Sequence, residues 1–109
     1  MVQRIQLRRL KGWRMPENTK KVDRSTRWGN PFHPHGDGYP LDRSMAVQAF
    51  ERQLATSGAF RSGPRFRLTT LADIRTHLRG KNLACWCPLP AEGEPDVCHA
   101  AVLLRVANS

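Results

Sequence analysis

The three cysteines of this chain and one of its four histidines fall within fifteen consecutive positions: Cys85, Cys87, Cys98 and His99. Thiolates and imidazoles are the ligands that tetrahedral zinc prefers, so these four side chains are the candidate metal ligands and Zn²⁺ is the candidate ion. The spacing, C-x-C and then C-H, differs from the common C-x2-C pair. Neighbouring side chains on a helix also point about 100° apart, which makes shared ligation by Cys98 and His99 harder.

The same cluster supports two other interpretations. A cysteine at the start of a helix ionises more easily, because the positive end of the helix dipole favours the thiolate. In an enzyme, Cys98 would then be the candidate nucleophile and His99 the candidate base. Buried cysteines also occur as small apolar side chains, and an odd number leaves one thiol unpaired in any disulfide scheme.

The second unusual stretch is RSTRWGN, residues 24–30. Guanidinium and hydroxyl groups suit phosphate oxygens, and a tryptophan ring suits a stacked base. The candidate ligand-binding residues are Arg24, Ser25, Thr26, Arg27, Trp28, Gly29 and Asn30. The alternative is a rigid turn that Trp28 and Phe32 anchor in the core.

The charge of the chain is one-sided. Lys and Arg number 18 against 9 Asp and Glu, a net charge of +9, and the first 32 residues hold nine of the basic side chains and two of the acidic ones. Such a surface favours a polyanionic partner, either nucleic acid or a phosphorylated small molecule. A merely solubilising surface is the alternative.

No stretch approaches the roughly 18–20 apolar residues of a membrane span. The opening MVQRIQLRRL also lacks the apolar core of a signal peptide. The sequence therefore predicts a cytoplasmic protein without a membrane partner. In a reducing cytoplasm, clustered cysteines are more often metal ligands or catalytic groups than disulfides.

The length and pattern predict one domain over residues 1–109, an α/β layer structure with a short sheet packed by about three helices. The expected elements are a strand with Ile5 and Leu7, a short strand at Val22, a helix from an Asp42 cap to Gly58, a loop over 59–67, a helix from a Thr70 cap to Gly80, a strand over 81–87 and a helix capped by Asp96.

These elements would position the cysteines. On a strand, Cys85 and Cys87 would project to one face, with Trp86 on the other. The last helix would start close to Cys98 and turn Val97, Ala101 and Leu104 toward the core. Before the first helix, His33, His35 and Asp37 form a further metal-binding candidate, for which a polar loop is the simpler interpretation.

Three segments together resemble a known family: RRLKGWRMPENT, RSTRWGNPF and LRGKNLACWCPL…CHAAVLLRVAN. They are similar to the domain of unknown function 4326, found in phages and bacteria, and the W-G-N-P-F and C-W-C…C-H pieces carry the resemblance. It implies a compact α/β domain and no particular activity. It also implies one shared site built from Arg24, Trp28, Gly29, Asn30, Cys85, Cys87, Cys98 and His99.

Three functions remain open from the sequence. The first is a metal-stapled domain that binds nucleic acid, a nucleotide or another phosphorylated ligand on its basic first third. The second is a small enzyme that uses a thiol or a metal-bound water on a nucleotide-like substrate. The third is an accessory interaction protein with structural cysteines. A cleft that held both the thiols and the RSTRWGN stretch would favour the enzyme most.

Overall fold

The fold is taken from a computed structural model that describes residues 2–32 and 43–109. In chain order its elements are β1 Arg4–Gln6, β2 Thr19–Lys21, α1 Arg43–Ser57, β3 Ala59–Ser62, β4 Arg67–Thr70, α2 Leu71–Leu78, β5 Asn82–Cys85 and α3 His99–Ala107. This confirms the expected mixed α/β class, with short sheets and three helices. The Asp42 cap and the candidates His33, His35 and Asp37 lie outside the described residues.

The main sheet has three parallel strands in the order β1-β5-β2. In its register, Leu83 of β5 lies opposite Arg4 of β1 and Lys20 of β2. Because all three strands run the same way, the chain leaves each of them at the same edge of the sheet. Ligands of parallel sheets bind at this carboxyl edge, between segments that leave neighbouring strands.

The central strand β5 is buried because its residues are small and apolar. Leu83 and Ala84 are fully buried, as expected for a parallel strand covered on both faces. Helix α1 contributes Phe50 to the same core, where its ring meets Phe60 edge-on at 4.8 Å. The ring of Phe50 also meets that of His99 edge-on at 5.9 Å, so the same core packs against the start of α3.

The segment 59–67, expected to be a loop, is largely an antiparallel hairpin of β3 and β4. Phe60 and Ser62 point inward while Arg61 points out, which is the alternation of a half-buried strand. Each strand has only four residues, and Gly63 with Pro64 separates them, so the turn signal concealed the strands.

The cap of α2 is the one that the sequence predicts. The backbone N–H of Asp73 donates to Thr70 Oγ1 at 3.2 Å, and the N–H of Thr70 donates to Asp73 Oδ2 at 3.0 Å. This reciprocal pair satisfies two donors at the start of the helix. Glycines with positive φ, Gly58 and Gly80, follow α1 and α2 as expected.

The predicted start of the last helix is wrong by two residues. The N-cap of α3 is Cys98, and Asp96 instead accepts a hydrogen bond from Arg4. The inward face shifts with it. Ala100, Val102, Leu103 and Ala107 are buried, whereas Ala101 and Leu104 are only partly buried. Within the described ranges, no helix is long and apolar enough to cross a membrane.

Candidate functional site

The three cysteines meet at the carboxyl edge of the parallel sheet. Cys85 ends β5, Cys87 follows a bend of the chain, and Cys98 precedes α3 in an extended conformation. Their Sγ atoms all lie within 4.8 Å of one another, and those of Cys85 and Cys87 are 3.9 Å apart. A tetrahedral zinc with Zn–S bonds of about 2.3 Å places its sulfurs about 3.8 Å apart. The three thiols therefore fit one metal ion.

His99 lies next to this cluster and is fixed by the backbone. Its Nε2 is 2.6 Å from the carbonyl oxygen of Val22, and its Nδ1 is 3.9 Å from Cys98 Sγ. Burial lowers the pKa of His99, so the ring is neutral. A carbonyl only accepts, so Nε2 carries the proton and Nδ1 keeps its lone pair. The group of potential ligand atoms that lie within 4.8 Å of one another contains the three Sγ atoms and no ring nitrogen of His99. His99 therefore lies beside the thiol cluster without being part of it.

The three thiols differ in accessibility and in acidity. Hydrogen bonds with Cys85 and Cys98 lower the pKa of Cys87, although burial opposes the shift. Hydrogen bonds with Cys85 and Cys87, together with burial, raise the pKa of Cys98. Cys98 is fully buried, whereas Cys87 is partly exposed. The geometry therefore makes Cys87, and not Cys98, the thiol that a reagent or substrate reaches first.

The cysteine loop, defined here as residues 86–98, is held at its two ends by Arg4. The guanidinium donates to Asp96 Oδ2 at 2.6 Å, to the carbonyl of Cys87 at 2.8 Å and to that of Pro88 at 2.7 Å. Burial alone would lower the pKa of Arg4, but the bond to Asp96 and the nearby cysteines raise it. A buried arginine that serves three acceptors fixes where Cys87 lies.

The arginine loop, defined here as residues 22–32, joins the cysteine loop through Asp23. Asp23 Oδ2 accepts from Trp86 Nε1 at 2.8 Å, and its Oδ1 accepts from the N–H of Ser25 at 3.2 Å. Burial alone would raise the pKa of Asp23, but the bonds from Ser25 and Trp86 and the charge of Lys21 lower it. The carboxylate is thus ionised, and both of its oxygens already accept hydrogen bonds.

A cavity of about 220 Å³ opens between the two loops and α1. Its wall contains Asp23, Arg24, Ser25, Asn30, Arg43, Ala46, Val47, Cys85, Trp86, Cys87 and His99. Two of the three thiols, those of Cys85 and Cys87, therefore share one cleft with part of the RSTRWGN stretch. Trp86 was expected on the face opposite the cysteines, but the strand ends at Cys85, so strand alternation does not extend to Trp86 and Cys87.

The residues of the RSTRWGN stretch separate into two groups. Arg24 and Ser25 are exposed and line the cavity, and Asn30 lines it from a buried position. Trp28 is buried at 3% exposure, so its ring packs in the core and offers no open face to a base. Arg27 turns away and donates to Thr69 Oγ1 at 3.0 Å, to the carbonyl of Leu68 and to Asp73.

Gly29 and Asn30 have structural reasons to occupy their positions. A Cβ atom at position 29 would lie 2.6 Å from the Cα of Arg24, so only glycine lets the loop fold back on itself. The side chain of Asn30 donates to the carbonyl of Ala46 at 3.0 Å and accepts from the N–H of Phe32 at 2.9 Å. Thr26 accepts from the N–H of Trp28 and donates to the carbonyl of Asp23.

Two arginines that build the site, Arg43 in the cavity wall and Arg4 at the cysteine loop, carry no local sequence signal. Arg43 lies in the first turn of α1, far from both loops in sequence, and reaches the cavity only through the packing of that helix. Arg4 is one arginine among nine basic residues in the first third of the chain. Trp86 is part of the C-W-C pattern, but the pattern predicted only that its side chain lies on the face opposite the cysteines.

Comparison with known proteins identifies the family and nothing finer. No curated protein and no solved structure matches the chain. One family model matches residues 5–109, nearly the whole length, under the description "Domain of unknown function (DUF4326)". The resemblance in the sequence is thereby confirmed, and the chain belongs to the DUF4326 family.

Proposed function

We propose that this domain binds one metal ion through Cys85, Cys87 and Cys98, with zinc the best match, and holds a small phosphorylated ligand in the adjoining cavity. The observation that carries the proposal is that one cavity of about 220 Å³ has both thiols and arginines in its wall. The metal would tie the end of β5 to the start of α3. The ligand would lie between that tie and the arginine loop.

The donor set supports a thiophilic ion. Three sulfurs within 4.8 Å of one another suit zinc, whereas magnesium and calcium require oxygen ligands. Zinc in proteins takes four ligands, so a fourth must come from elsewhere. His99 Nδ1, 3.9 Å from Cys98 Sγ, is one source, and a group of the bound ligand is the other.

The charges of the wall support an anion. Arg24 and Arg43 are exposed arginines on it, and guanidinium groups suit phosphate oxygens. The one carboxylate among the lining residues, Asp23, is already bound by Ser25, Trp86 and Lys21. The volume is below the roughly 300 Å³ at which pockets for drug-sized ligands begin. A phosphate-bearing portion of a small molecule fits better than a length of polynucleotide.

The metal is tested by native mass spectrometry of protein purified without chelator. We expect one zinc per chain, which is lost in Cys98→Ser. The matched control is Ala100→Ser, which places the same hydroxyl at a fully buried position two residues away and should retain the metal. Wild-type protein free of metal after incubation with equimolar zinc would refute this half of the proposal.

The ligand is tested by calorimetric titration with inorganic phosphate and with a nucleoside monophosphate. Arg24→Gln and Arg43→Gln should each weaken binding about tenfold, the loss of one charge-assisted contact. Arg61→Gln, which removes an equal charge from the β3–β4 hairpin, should leave it unchanged. Equal effects of all three substitutions would mean that the phosphate responds only to net charge.

A cysteine-based enzyme is the second candidate, because Cys87 lines the cavity, is partly exposed and has a lowered pKa. A nucleotide-like substrate bound by Arg24 and Arg43 would lie beside this thiol. The two functions are separated by alkylation with iodoacetamide at neutral pH. Rapid modification of Cys87 in protein that takes up no metal would favour the enzyme, and protection of all three thiols by zinc would favour the metal centre.

A further inference from the structure

The β3–β4 hairpin carries concentrated positive charge outside the cleft. Residues 59–70 contain three arginines and no acidic residue. Arg61, Arg65 and Arg67 are all exposed. Among the described residues, neither Arg65 nor Arg67 forms an ion pair or a side-chain hydrogen bond. Their charge is therefore available to a partner.

The hairpin also presents apolar surface beside this charge. Phe66 is 66% exposed and Leu68 is 43% exposed. Phe66 has a φ of 49°, a backbone conformation that bulky residues rarely adopt, and its N–H donates to the carbonyl of Gly63 at 3.1 Å. The turn thus holds an aromatic ring in solvent between two arginines.

A second cavity, of about 280 Å³, lies at the base of the hairpin. Its lining includes Arg65 and Arg67 of the hairpin on one side and Ser25, Thr26 and Arg27 of the arginine loop on the other. Guanidinium and hydroxyl donors in one cavity suit the oxygens of a phosphate group. It is separate from the thiol cavity, with which it shares only Ser25.

The hairpin is firmly placed against the rest of the domain. A Cβ atom at Gly63 would lie 2.9 Å from the carbonyl oxygen of Thr26, so the turn rests directly on the arginine loop. Arg27 donates to the carbonyl of Leu68 and to Thr69 Oγ1. A hairpin held this way loses little conformational freedom when it binds a partner.

We propose that the β3–β4 hairpin is a docking surface for single-stranded nucleic acid, with phosphates on Arg65 and Arg67 and a base stacked on Phe66. Charge complementarity identifies a polyanion, because three arginines lie on twelve residues without a carboxylate. The exposed ring distinguishes a single strand from a duplex, because only unpaired bases offer their faces for stacking. This site is distinct from the proposed metal and phosphate cavity.

The test is fluorescence anisotropy of a labelled twelve-nucleotide oligo(dT) with the full chain at low salt, with oligo(U) and a duplex of equal length alongside. Phe66→Ala should weaken binding of both single strands about tenfold. Arg65→Gln and Arg67→Gln should each lower the slope of log affinity against log salt by about 1. Since all three side chains are exposed, the variants should keep the wild-type melting temperature.

The matched control is Arg8→Gln with Arg14→Gln, which removes two exposed charges from the basic first third of the chain. We expect a smaller loss than with Arg65→Gln and Arg67→Gln. A larger loss would move the interface to the first third and overturn the proposal. No binding at low salt would overturn it as well. The same holds if duplex and single strand bind equally and Phe66→Ala changes neither affinity.

The two proposals fail independently. Arg65→Gln with Arg67→Gln should leave zinc content and the binding of phosphate in the thiol cavity unchanged, because neither residue lines that cavity. Cys98→Ser with Arg43→Gln should abolish zinc binding, weaken phosphate binding at least tenfold and leave oligonucleotide binding unchanged in the portion of the protein that remains folded. Loss of oligonucleotide binding there, with the fold intact by circular dichroism, would show that the hairpin is not an independent site.

Discussion

The arginine loop and the cysteine loop leave neighbouring strands at the same edge of the sheet, yet they are held in different ways. The arginine loop supports itself: Thr26, Asn30 and the carboxylate of Asp23 bind backbone groups of the same loop, and Trp28 anchors it in the core. The cysteine loop is held mainly at its ends, by Arg4 and by contacts among the thiols. A metal ion would therefore have most to stabilise in the cysteine loop.

The largest expected effect is on the cysteine loop. Chelation by EDTA should lower the free energy of unfolding on the order of 5 kcal/mol, since binding energy at a structural metal site contributes to folding. Cys98→Ser should start near the chelated value and should not respond to EDTA. Chemical denaturation with and without chelator measures both. A wild-type denaturation curve that EDTA leaves unchanged would show that no metal ion stabilises the cysteine loop.

The next effect concerns the clamp between the loops. Arg4→Met should cost about 4 kcal/mol, because it leaves Asp96 and two carbonyl groups without their donor in a partly buried position. Arg105→Met breaks an exposed pair with Glu51 and should cost about 0.5 kcal/mol. Urea denaturation gives both values. Similar losses in the two variants would show that Arg4 contributes only a surface contact.

A third substitution tests whether the arginine loop supports itself. Gly29→Ala should cost about 3 kcal/mol, because its Cβ would meet the backbone of Arg24, which cannot move aside. Gly12→Ala, at a positive φ with nothing within 4 Å, should cost about 1 kcal/mol. Thermal melting distinguishes them. If Gly29→Ala were the milder change, the close packing of the loop would not be needed.

The smallest effect is a pH dependence at the contact between the arginine loop and helix α2. Hydrogen bonds from Thr70 and the charge of Arg27 lower the pKa of Asp73. A lowered pKa in the folded state means that the stabilisation is present above the unfolded pKa of about 4 and is lost as the pH falls through the folded value. Asp73→Asn should therefore cost about 0.5 kcal/mol at pH 7 and progressively less as the pH falls below about 4.

That difference is measured as wild type minus Asp73→Asn in urea denaturation across the pH range. Taking the difference removes any acid-dependent loss of metal, which would be the same in both proteins. A gap that stays constant from pH 7 to pH 2 would show that the carboxylate charge of Asp73 does not support the arginine loop through Arg27.

The sequence predicted the elements whose signals are local. Thr70 and Asp73 form the cap of α2 with each other, and the apolar run around Leu83 and Ala84 marks β5 without reference to the rest of the chain. The hairpin was missed because Gly63 and Pro64 dominate a short segment whose inward alternation rests on Phe60 and Ser62.

The candidate site was predictable in part for the same reason. The three cysteines could be expected to meet, because a strand end and a helix start lie close in a small α/β domain. The presence of Arg43 in the wall depends on how α1 packs, and no local pattern contains that fact. The burial of Trp28 agrees with the alternative that the sequence offered, a turn anchored in the core, but the stretch alone did not decide between that turn and a ligand-facing loop.

The central claim, that the metal and the anion occupy one site, is tested most directly by cobalt substitution. Co²⁺ bound to thiolates gives an intense charge-transfer absorption together with d–d bands that respond to its surroundings. We predict both features in the wild-type protein, with d–d bands that shift when phosphate is added, and the same shift in Arg43→Gln only at about ten times more phosphate. Absence of the thiolate absorption, or a spectrum that phosphate leaves unchanged while calorimetry shows it bound, would contradict the account.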